Sequence, residues 1–232
     1  MRCRRLPITA LLLLSSLSIC LAQYSDSQLY RAYLERDMRV WADYIASVDA
    51  SQATAEERLR LLNYQYGYTA YAISIKQENA RQLLDLYKAN LEDLRHAMPE
   101  ATYWAYKAGA SSYELSLNRW QFAKYSKQIY ADINHALSAD PNNPLALTMK
   151  GNVEFYSPVG SKHEALLYYE KADSLYHAQG LPPYLWNVRA VQLTLVKCLE
   201  KTKGREVAMK RGAEFLSEEP DFHELETLLH AQ

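Results

Sequence analysis

The sequence predicts an all-α protein, an array of antiparallel helix pairs with about ten helices in all, and three observations predict it. Apolar and aromatic residues recur at three- and four-residue steps along most of the chain, the period of a helix with one buried face. Strand-type alternation is missing, and glycine is scarce, with seven residues in 232. Three of those glycines, Gly67, Gly109 and Gly151, stand 42 residues apart, the mark of a repeated unit.

The first segment is a leader. Arg2, Arg4 and Arg5 precede an apolar run from Ile8 to Leu21, and Ala22 offers a small residue for cleavage before Gln23. This layout is that of a secretory signal peptide, with an apolar run too short to span a bilayer. Leu17-Ser-Ile-Cys20 is similar to the lipobox of bacterial lipoproteins, but Ile19 stands where that motif needs a small residue, so cleavage after Ala22 is expected. The expected location is therefore periplasmic or secreted. Loss of residues 1–22 removes three of the 26 basic residues and none of the 27 acidic ones, leaving a net charge of −4. A mildly acidic chain of mixed sign, without a basic stripe, does not fit nucleic-acid binding. Cys3 and Cys20 leave with the leader, so Cys198 stands alone on an apolar helical face, a small core hydrophobe in a protein held together by packing.

The elements follow in order. Residues 23–52 form an N-terminal helical segment in which Tyr30, Tyr33, Leu34, Met38, Trp41 and Ile45 share a face. Residues 53–218 hold the helix pairs. Thr54 and Glu57 make a capping box that opens a helix running to about Lys76. Leu83 to Leu94 marks the next, stopped near Pro99. Glu100–Leu117 and Arg119–Ala139 follow, ending at the turn Asp140-Pro-Asn-Asn-Pro144. Then come Leu145–Tyr156, His163–Tyr176, Pro183–Glu200 and Arg205–Ser217, and residues 219–232 close the chain with a capping helix over Asp221–His230.

Each repeat glycine lies inside the first helix of a pair, where it costs about 1 kcal/mol relative to Ala. Close approach of a partner helix is the expected compensation, so Gly109→Leu should destabilise the fold severalfold beyond that amount. An aromatic residue follows each glycine by four positions: Tyr71, Tyr113 and Phe155. Helical phase places these three toward the packed face, and turns Tyr64, Tyr68, Tyr106 and Asn152 toward an inner surface.

From Ala136 onward the chain resembles the tetratricopeptide family. Ala136-Leu-x-x-Asp-Pro-Asn-Asn-Pro144 is similar to the junction between two repeats of that family, with Pro144 opening a helix where its missing N–H does no harm. Ala165, Tyr169 and Ala172 reproduce the small–aromatic–small spacing of its second helix, preceded by a Ser161…Glu164 capping box. Leu147, Lys150 and Glu154 depart from its usual Trp, Leu and Tyr, and the 42-residue period exceeds the family's 34. The resemblance covers residues 132–178 and implies an adaptor or assembly role.

Motifs for chemistry fail on spacing. His163-Glu164 lacks a second His three residues on, where Leu167 stands, and His223-Glu224 has Thr227 there. The isolated glycines build no phosphate loop, and Ser111-Ser112 has no strand before it to form a nucleophile elbow. No catalytic residue, metal site or cofactor is therefore assigned. Nineteen tyrosines against four phenylalanines would suit a wet groove or interface, since Tyr joins an apolar body to a polar tip. Aromatics at helical spacing are core by default, however, and that is the expectation for the set as a whole. The expected function is an exported scaffold that binds a protein or peptide on its concave face, with Tyr64, Tyr68, Tyr106 and Asn152 as contacts. The alternative is a carrier for a small ligand, a glycan fragment or lipid, walled by Tyr-rich helices. An open groove would favour the scaffold, and an enclosed apolar cavity the carrier.

Overall fold

The computed structural model describes residues 24–178 and 184–231, so the expected leader, its expected cleavage site and Pro183 lie outside the described residues. It is all-helical, with no strand among the described residues. The N-terminal segment is two helices, α1 (Asp26–Glu35) and α2 (Arg39–Ser47), where one was expected. Arg36 adopts a left-handed conformation at φ 62°, and Asp37 N–H closes back onto Ala32 C=O at 2.8 Å, which ends α1 although the apolar face continues through the break. α1 is opened by a Ser25/Gln28 capping box.

The helix pairs follow: α3 (Ala55–Ser74) with α4 (Ala80–Asp93), α5 (Glu100–Leu117) with α6 (Phe122–Ala139), and α7 (Pro144–Tyr156) with α8 (Lys162–Ala178). α9 (Trp186–Thr202) pairs with α10 (Arg205–Glu218), and α11 (His223–His230) ends the chain. A single 3₁₀ turn, Arg119–Gln121, joins α5 to α6. Thr54 and Glu57 close both arms of the capping box at α3, as the sequence predicts. At α7 the Asn143 side chain accepts the Ala146 N–H at 2.9 Å and Pro144 takes the first turn. At α8 Ser161 Oγ caps Glu164 N–H, while the Ser161 N–H goes instead to the Glu154 carboxylate at 3.0 Å. Glu154 also pairs with Lys150 at 2.9 Å. Two departures from the family pattern are thus one buried ion pair that ties the α7–α8 turn.

First helices α3, α5 and α7 stack side by side, with the second helices outside them. The two ends of the chain also meet. Tyr30 on α1 donates its hydroxyl to Glu219 at 2.6 Å and accepts from Arg189 of α9 at 2.9 Å, and the Tyr33 ring lies 6.0 Å from that of Phe222. α2 and the start of α9 cover the middle of α3, where Trp41 and Trp186 sit edge to face at 5.2 Å. Buried indole N–H groups need acceptors, and both have one: Trp41 gives to Leu29 C=O at 2.7 Å and Trp186 to Asn63 Oδ1 at 2.6 Å.

Aromatic rings, not helix backbones, occupy the space beside the repeat glycines. A Cβ at Gly67 would stand 2.6 Å from the Trp41 ring and 2.8 Å from Trp186; at Gly109, 2.8 Å from Tyr66; at Gly151, 2.7 Å from Tyr169. The expectation of tight backbone contact is corrected: the absent side chain makes a seat for a ring. Cys198 is fully buried on α9, and burial pushes its thiol up to about 11. No described helix is long and apolar enough to cross a membrane.

Candidate functional site

Between α3, α5, α6 and α7 lies a half-enclosed cavity of about 410 Å³. Tyr66 and Tyr113 form its floor, their rings stacked at 5.7 Å, and Gly109 passes beside Tyr66 because it has no side chain to block it. α6 contributes Phe122, Ser126 and Tyr130, one helical turn apart and so on one face. Met149, Asn152, Val153 and Tyr156 close the side made by α7. The lining carries no formal charge among the described residues and is mainly apolar.

Its polar groups divide into spent and available ones. The Tyr113 hydroxyl donates to Tyr66 C=O at 3.0 Å, and Ser112 and Ser116 hydroxyls return to carbonyls one turn back on their own helix. The Tyr66 hydroxyl points at Met149 Sδ, 3.7 Å away. Burial pushes Tyr66 up to about 12 and Tyr113 well above the ordinary phenol value, so both stay neutral in the physiological range. Asn152 accepts the Tyr169 hydroxyl through Oδ1 at 2.8 Å, which leaves its amide N–H₂ as a donor at the cavity wall. The site offers apolar surface with neutral hydrogen-bonding groups, and no titrating acid or base among its described lining.

Of the residues predicted to contact a partner, Asn152 alone lines this cavity. The structure places the other three in the core. Tyr64 is 1 % exposed, with Trp41, Tyr44 and Tyr184 rings within 5.8 Å. Tyr68 is buried in the same cluster. Tyr106 is buried against Tyr66 and Tyr87, its hydroxyl held by Asn63 at 2.8 Å. At Tyr64 and Tyr68 the face assigned to a partner is covered by α2 and by the chain entering α9, contacts that no repeat phase could reveal. At Tyr106 it is covered by rings of α3 and α4. In the first two repeats the phase is reversed: Tyr71 and Tyr113, expected in the core, are partly exposed, and Tyr113 lines the cavity. In the third, Phe155 and Asn152 are both partly exposed. The α6 wall was also missed, although Phe122, Ser126 and Tyr130 at four-residue spacing carry the signal for it.

No family model matches the chain. No curated protein matches it either. Among solved structures it is similar to the HusA haemophore from Porphyromonas gingivalis, at 20% identity and a TM-score of 0.49, covering 78% of this chain and 96% of that one.

Proposed function

We propose that this chain is a non-catalytic carrier for a small, largely apolar ligand, held in the cavity between α3, α5, α6 and α7. The observation that carries the proposal is the cavity itself. Its 410 Å³ falls within the range of about 300–1,000 Å³ typical of small-molecule sites, and its uncharged, aromatic-rich lining with few polar groups is the usual composition of one. A ligand seated there would lie against the Tyr66–Tyr113 stack and meet the Asn152 amide and the Tyr130 and Tyr156 hydroxyls. The scaffold function expected from the sequence has less support than its carrier alternative, because Tyr64, Tyr68 and Tyr106 are buried and unavailable to a partner. In this proposal the chain is exported by its leader, and its helix pairs are tetratricopeptide relatives adapted to enclose a ligand.

The test is a titration with three chemically distinct probes, a long-chain fatty acid, haemin and a short oligosaccharide, followed by calorimetry. Haemin is included because the HusA likeness is named a haemophore; the cavity alone supports the carrier role. One-to-one binding of an apolar probe, weakened at least about tenfold by Tyr113→Ala, is the expected result. Binding of no probe, or binding indifferent to Tyr113 and to Asn152→Ala, would remove the proposal.

A further inference from the structure

We infer that the mouth of the cavity is a docking surface for an anionic lipid bilayer. Two lips flank that mouth. One is the α5–α6 junction, where Trp120 is 86% exposed and Phe122, itself part of the cavity wall, 51%. The other is the α7–α8 turn, where Tyr156 and Val159 are 64% and 87% exposed and Tyr156 and Pro158 line the cavity. Large apolar side chains held in water at a site rim mark a surface that meets something apolar.

Charge selects the occupant. At the first lip Arg119 and Lys127 are exposed cations, while Lys124 turns to the opposite face of α6, toward Glu92 and Glu114. The second lip runs from Phe155 to His163 with exposed Lys162; Glu154 beside it is buried and paired with Lys150, and Glu164 follows on α8. A cationic rim on a chain of net charge −1 is a local concentration of charge and not a property of the whole surface. Exposed Trp, Phe and Tyr flanked by Lys and Arg are the side chains that partition into the headgroup region of anionic bilayers, aromatic rings at the interface and cations on the lipid phosphates. An apolar ligand would then pass between cavity and bilayer without crossing water.

The inference stands on the lip residues, and the purified protein without added ligand tests it. Sedimentation with vesicles of phosphatidylglycerol and phosphatidylcholine is compared with phosphatidylcholine alone. Binding to the anionic vesicles should be about tenfold tighter or more, and should fall steeply with salt. Trp120→Ala with Phe122→Ala, both on exposed side chains, should lower it by about tenfold with helical circular dichroism unchanged, and Arg119→Gln with Lys127→Gln should abolish the preference for anionic lipid. Parent and variants share one N-terminus, so the leader cannot produce these differences. Equal binding to both vesicle types, or no loss in either variant, overturns the inference. So does capture of polyglutamate through the same residues without vesicle binding, which would mean an acidic protein partner. Vesicle binding with no ligand uptake would sink the carrier proposal and leave this surface standing.

Discussion

Gly67 and Gly109 occupy equivalent places in successive helix pairs, yet one faces a filled interior and the other a hollow. Beside Gly67, two tryptophans fill the space, each pinned by its own indole hydrogen bond and backed by the helices that close the array. Beside Gly109 stand the Tyr66 ring and, at 3.7 Å, the Tyr87 hydroxyl, and both Gly109 and Tyr66 border the cavity. The repeat supplies the same seat for a ring at both places. What differs is whether the chain ends reach far enough to fill the inner face. α1, α2 and α9 fill the space beside α3 at Gly67, whereas the space beside α5 and α7 at Gly109 is left open as the cavity. In this comparison, the same architecture yields core at one end and a cavity in the middle.

The largest expected effect lies at the filled end. Tyr64→Ala with Tyr68→Ala removes two core rings, and large-to-small aromatic changes cost about 3–5 kcal/mol each. The double variant should therefore fail to fold, seen as loss of helical circular dichroism. A folded double variant with an altered ligand affinity would instead return these rings to a binding surface.

Next in size is the contrast between glycines. Gly67→Ala drives a Cβ into two fixed indoles and should cost about 1–3 kcal/mol in denaturant midpoint. Gly109→Ala should cost less, because Tyr66 can tip into the cavity, and the sequence-based expectation of a severalfold penalty for Gly109→Leu shrinks for the same reason. Equal costs at both sites would mean that the hollow does not exist in solution.

Two buried carboxylates sharpen the picture with smaller effects of opposite sign. Burial pushes Glu154 up, but the Ser161 N–H and the Lys150 ammonium pull it down further, so it ends below the ordinary 4.5. A lowered carboxylate stabilises the fold above its unfolded value, and the gain is lost as pH falls through the folded one. Glu154→Gln should therefore cost about 1–2 kcal/mol at pH 7, with parent and variant converging below about pH 4.5. Asp132 behaves in reverse. It is fully buried, holds Ser111 at 3.1 Å and Gln128 at 2.7 Å, and has no ion-pair partner among the described residues, so burial keeps its carboxyl above the usual range. A raised carboxyl destabilises once pH exceeds its unfolded value. Asp132→Asn should leave thermal stability at pH 7 unchanged or raise it by less than about 1 kcal/mol, and a clear loss would show that the charge is needed.

How much of this was legible in the sequence follows from which contacts are local. The Thr54 box and the Pro144 entry are written in short spacings, and the structure has both. The ring seats beside the repeat glycines were not foreseen, because the partner ring comes from another helix. The break at Arg36 was hidden because the apolar face runs through it without a glycine or proline to mark it. The burial of Tyr64 was hidden for a different reason: the rings that cover it come from outside its helix pair, Trp41 and Tyr44 on α2 and Tyr184 more than a hundred residues further on. Helical phase fixes which residues share a face, and only tertiary closure fixes which face is open.

The central claim is that the hollow between α3, α5, α6 and α7 holds the ligand, and calorimetry on Val153→Trp tests it most directly. Val153 lines the cavity and is partly exposed, so an indole there can enter the void without displacing the core. The account predicts a folded variant of near-parent stability that no longer binds the apolar probe the parent takes up one to one. Undiminished binding in a folded Val153→Trp variant would contradict it.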